Sequence, residues 1–86
     1  MGRKYKNVEE NGIRFVFAYD EDAPELLHIF ARHLTTIDDA LDTFFGGTTK
    51  RNEQHQRFET VTDSRGLFWF WIEDGKVVMV ISCFRL

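Results

Sequence analysis

The chain has a single cysteine, Cys83, and a single proline, Pro24. One cysteine excludes an intrachain disulfide framework and a zinc site built from paired cysteines. With so little proline and no Ser/Gly-rich tract there is no sign of a linker, and no repeat or low-complexity segment appears. Long hydrophobic runs are missing too. The longest, Leu67–Ile72, is six residues, against the roughly 20 that a membrane helix needs. The basic start, Met1 to Lys6, is not followed by the apolar core of a signal peptide, and no Ser or Thr follows Gly2 at myristoylation spacing. The expectation is a cytoplasmic protein with no membrane role. There is no glycine-rich phosphate loop and no Ser–His–Asp pattern. His28 and His33 are five apart, off a common helix face, and no acidic residue completes a ligand set. Neither a metal nor a cofactor is expected.

Aromatic residues are plentiful: nine Phe and two Trp in 86 residues. Each ring can bury roughly 150–250 Å², so one small domain, residues 1–86, can hold a compact core. Net charge is −3 but unevenly spread. From Asp20 to Asp42 there are seven acidic residues against one basic, Arg32, whereas from Lys50 to Leu86 six basic residues face five acidic ones. A polyanion would be repelled by the first stretch and would have to use the second.

Residues 1–12 read as a polar segment ending in the turn signal Asn11-Gly12, and 13–85 as the core. Arg14–Tyr19 predicts a strand. Asp22, Pro24 and Glu25 have the spacing of a helix start, leading into a helix that stops near His33. Thr36 caps a second helix, in which Ile37, Ala40, Leu41, Phe44 and Phe45 form an apolar stripe and Gly46-Gly47 ends it. Thr48–His55 reads as a polar loop. Strands follow at Arg57–Thr62, Leu67–Ile72 and Lys76–Phe84, the last two joined at Asp74-Gly75, a strong hairpin signal. The fold class expected is α+β, in the order β-α-α-β-β-β, with two helices on one face of an antiparallel sheet.

Several local segments, taken in order, resemble a known family. They are Phe17-Ala-Tyr19-Asp20-Glu21 at the end of the first strand, Ala31-Arg32-His33-Leu34 closing the first helix, and the short acidic helix Thr36–Phe45. Arg57-Phe58 opens a strand, and Ile81-Ser82-Cys83-Phe84-Arg85 closes the chain. Together they resemble the BrnT-like branch of the RelE/ParE superfamily of bacterial toxins, over roughly residues 15–85. The resemblance implies a RelE-like fold and the toxin role in a type II toxin–antitoxin system, with metal-independent endoribonuclease activity on messenger RNA. The family positions matched are His33, Arg57 and, one place late, Arg85. Leu34 stands where the family has glycine.

Each of these residues also has a plainer reading. His33 at a helix C-terminus would be favoured in its charged form by the helix dipole, or would simply pack on the sheet edge. Arg57 could fork onto a phosphate, or pair with Glu59 or Asp63. Arg85 lies near the end of the chain. Trp69 and Trp71, with Met79 on the neighbouring strand, are interface or base-stacking candidates, or core. Strand Leu67–Ile72 puts Leu67, Trp69 and Trp71 on one face and Phe68, Phe70 and Ile72 on the other; Lys76–Phe84 is apolar on both faces as well. Two short helices cover only one face. A homodimer or an antitoxin bound through the sheet is therefore expected. Two functions stay open: the ribonuclease toxin or a degenerate derivative, and a non-catalytic partner-binding module of the same fold.

Overall fold

The computed structural model describes residues 4–86, so Gly2 of the myristoylation reading lies outside the described residues. The elements are β1 (Tyr5–Glu10), β2 (Ile13–Ala18), α1 (His28–His33), α2 (Ile37–Gly46), β3 (Thr48–Asn52), β4 (Arg57–Val61), β5 (Arg65–Glu73) and β6 (Val77–Arg85). The six strands form one open sheet in the order β1-β2-β6-β5-β4-β3. All neighbours are antiparallel except β2 and β6, which run parallel with Phe15 beside Val78 and Phe17 beside Val80.

This corrects the expected RelE-like β-α-α-β-β-β antiparallel sheet: the sheet has six strands and is mixed. The described part of the polar N-terminal segment is not separate from the sheet. It is an edge strand, folded back on β2 at Asn11 and Gly12, both at positive φ. Thr48–Asn52, expected as loop, is the other edge. Both edges are polar and almost wholly exposed, which suits strands that border water.

The first helix is also shorter than the sequence predicts. Asp22, Pro24 and Glu25 do not begin it; it starts at His28, and Leu27 at its N-cap offers no side-chain cap. The preceding segment is claimed by other bonds. Asp20 Oδ2 accepts from the Asp22 and Ala23 backbone N–H groups at 3.1 Å each, and the Asp20 N–H donates to the Leu26 carbonyl at 2.8 Å. The second helix keeps its Thr36 cap, in a reciprocal box with Asp39.

Both helices lie on one face, α1 against β2 and β6 and α2 against β4 and β5. The core between the helices and the sheet is made of Phe15, Phe17, Ile29, Ala40, Leu67, Trp69, Val78, Val80 and Cys83. The Trp69 Nε1–H donates to Thr60 Oγ1 at 2.9 Å, so its one polar group is satisfied in the core. Thr35, fully buried between the helices, has its hydroxyl directed at the carbonyls of Ile29 (3.0 Å) and Cys83 (2.8 Å), which ties the α1 exit to β6. A register shift lets Trp69 face Val80 while Phe68 faces Ser82, leaving Ile81 as an extra residue. Beyond this bulge the faces of β6 exchange. Cys83 joins Val78 and Val80 under the helices instead of following Met79 and Ile81, and Phe84 turns to the other side.

A Cβ at Gly47 would stand 2.7 Å from the Val61 carbonyl oxygen and from Thr60 Cγ2, and 2.8 Å from the Thr43 carbonyl oxygen. Two of these are backbone atoms that cannot swing away. Gly47→Ala is expected to cost about 1–3 kcal/mol through overpacking, read as a lower urea midpoint with an unchanged slope.

Candidate functional site

The face away from the helices is open, and its middle is apolar. Tyr5 and Phe70 are 48% and 38% exposed, Ile81 is exposed, and Met79, Phe68 and Phe84 are partly so. Tyr5, Ala18, His28, Phe70, Met79, Val80 and Ile81 line a pocket of about 390 Å³ there.

Of the six sequence-derived candidates, three reach this face. The His33 ring lies 6.1 Å from that of Phe84, Phe84 is 4.9 Å from Phe68, and the Arg57 guanidinium carbon sits 3.7 Å above the Phe68 ring. His33 and Arg57 thus bracket two phenyl rings instead of converging on one point. Arg57 is committed twice. Besides its cation–π contact, its Nε–H donates to Glu59 Oε2 at 2.9 Å, and Asn52 Nδ2 donates to the same oxygen at 2.9 Å. These bonds, from Asn52 and then Arg57, hold the Glu59 carboxyl below its ordinary pKa. Met79 is the third residue on this side.

Trp69, Trp71 and Arg85 belong to the helix side. Trp69 is buried, stacked on Phe58 at 4.7 Å and edge-on to Phe44 at 4.8 Å, and Trp71 packs edge-on to Trp69 at 5.0 Å. No base can stack on Trp69 while α2 is in place. Arg85, past the bulge, lies opposite Arg65 in the ladder. Arg65 pairs with Asp39 at 3.4 Å. The Thr36 backbone N–H is the first cause that lowers the Asp39 pKa, and the Arg65 and Arg85 charges add to it. His33, Arg57 and Arg85 therefore do not form one site.

The polar cluster that sequence reasoning missed is centred on Asp20, 3% exposed at the end of β2. Its Oδ1 accepts from Arg32 Nε at 2.9 Å and lies 3.2 Å from His28 Nδ1; Arg32 reaches Asp22 through Nη2 at 2.7 Å. Burial acts to raise the Asp20 pKa, but hydrogen bonds from Arg32, the Asp22 N–H and His28 outweigh it and hold the carboxyl below its ordinary value. An ionised Asp20 has no proton to give, so His28 Nδ1 is the donor to Oδ1. The available signal was Asp20 followed by turn-forming residues, the mark of a side chain that bonds backbone two residues on. The His28 and His33 rings come within 6.4 Å, yet no group of three or more His, Cys, Asp or Glu could hold a metal among the described residues. Burial pushes the Cys83 thiol up, away from a reactive thiolate. No helix among the described residues is long and apolar enough to cross a membrane.

Comparisons with protein-family models, with curated proteins and with solved structures found no match.

Three carboxyls, Asp20, Asp39 and Glu59, are held below their ordinary values. In acid the unfolded chain therefore takes up protons that the folded chain refuses, and stability falls with falling pH. The contribution is complete above the ordinary values of 3.8 for Asp and 4.5 for Glu, and is lost as pH drops through the lowered ones. Urea midpoints measured across this range should fall steadily, and Asp20→Asn should lower the midpoint at neutral pH while flattening the acid slope.

Proposed function

We propose that this chain is a non-catalytic partner-binding module whose open sheet face is covered in use by a second copy of itself. The observation that carries this reading is the uncovered face around Tyr5, Phe70, Met79 and Ile81. An open sheet face is normally polar, and large exposed apolar patches mark interaction surfaces. The pairing of Arg57 with Glu59 supports the non-catalytic part, because an arginine neutralised on its own strand is a poor phosphate clamp. The absence of paired cysteines accords with a cytoplasmic setting.

A specific observation favours a second reading. His33 and Arg57 lie at the two ends of a row formed with Phe84 and Phe68 on one face, so two of the residues matched by the toxin resemblance share a surface. That is the arrangement from which a toxin of a type II toxin–antitoxin pair, cleaving RNA, would have to work; its protein partner would then be the antitoxin. The two readings separate in cells. A ribonuclease toxin arrests growth on induction and His33→Ala relieves the arrest, whereas a binding module leaves growth unchanged with or without that substitution.

The first reading is tested by sedimentation equilibrium at micromolar concentration. The expected result is a dimer that Phe70→Glu converts to a monomer with unchanged circular dichroism. A stable, soluble monomer that binds no partner would overturn it.

A further inference from the structure

The helical layer carries a second surface, distinct in its lining residues from the open sheet face. A groove of about 520 Å³ lies between Tyr19, the segment leading into α1 and the start of α2. Its apolar floor includes Leu26, Leu27, Phe30 and Ile37, and Phe30 is 41% exposed. A second depression of about 370 Å³ shares Asp38 with it and adds Leu41 and Phe45. Four carboxylates border the combined track: Glu25, Asp38, Asp42 and Glu10. Among the described residues, no Lys or Arg lines either part. The one basic residue of this stretch, Arg32, is held by Asp20 and Asp22.

Next to the groove the backbone does something that folding alone does not call for. Leu34 ends α1 in the left-handed conformation, φ 56° and ψ 29°, with its N–H on the Phe30 carbonyl and the next N–H on that of Ile29. This is the helix stop for which glycine is the usual residue. A leucine there is strained, and burial does not repay the strain, because the residue is 64% exposed. Leu34 does not itself line the groove, but it is the chain neighbour of Thr35, which does.

We infer that this track docks a cationic amphipathic segment of a protein partner, one that presents two or three large apolar side chains flanked by Lys or Arg. Charge complementarity selects the occupant. An acidic or neutral apolar segment would gain the same floor contacts but would meet four carboxylates that have no ion pair among the described residues. The groove and the open-face pocket share no lining residue.

The probe is a synthetic amphipathic helix of Leu and Lys, with a counterpart in which every Lys is Glu, titrated against the full chain by fluorescence anisotropy. The Lys peptide should bind, more weakly as salt rises, and the Glu peptide should not. Asp38→Asn with Asp42→Asn should weaken binding by about three- to tenfold, with unchanged circular dichroism. Leu34→Gly should raise Tm by about 2–6 °C by relieving the left-handed strain. Equal binding of the Glu peptide, salt-independent affinity, or chemical-shift changes centred on Phe70 and Met79 instead of Phe30 and Asp38 would each overturn the inference.

Discussion

The parallel ladder between β2 and β6 joins the two parts of this molecule, the N-terminal hairpin and the C-terminal meander. Phe15 and Phe17 on one strand and Val78 and Val80 on the other supply the middle of the core, and both helices are laid over that seam and its flank. The connection between the helices is held to β6 from inside by Thr35, whose hydroxyl points at the Cys83 carbonyl. Without the seam, β1 and β2 would be an isolated hairpin, marginal in water, and the helices would have half a floor.

The second constraint is the extra residue at Ile81. Because side chains alternate along a strand, one inserted residue re-aims everything after it. It sends Cys83 into the core, Phe84 onto the open face beside Phe68, and Arg85 toward Asp39. The same shift separates Arg85 from Arg57, which strict alternation would have left open. The geometry of the open face thus follows from one irregularity in the ladder.

What could be read from the sequence follows the burial of each element. Strands β2, β5 and β6 are dense in Phe, Trp and Val because the sheet interior needs them. Helix α2 announces itself through the Thr36–Asp39 box and its apolar stripe. Strands β1 and β3 leave no such mark: Thr48, Thr49, Lys50 and Arg51 are all exposed, and their strand state is imposed by a neighbour. The direction of β2 against β6 was hidden for a related reason, since apolar residues record that a strand is buried but not which way its partner runs. In the site, the pairing of Arg57 with Glu59 was legible because residues two apart on a strand share a face. The approach of His33 to Phe84 was not, because it needs the bulge. The start of α1 misled because Asp22, Pro24 and Glu25 have a cap's spacing, while Asp20 takes the very N–H groups that such a cap would serve.

The seam also fixes the order of events in time. A ribosome makes β1 and β2 first and β6 only after every other strand. Until then Phe15 and Phe17 have a hairpin neighbour on one side and nothing on the other. Contacts between distant parts of a chain form slowly, since a long loop must close before any of them is rewarded. The nascent protein therefore holds two phenylalanines on an unpaired strand edge for the length of its synthesis, a window in which folding helpers and aggregation compete for it.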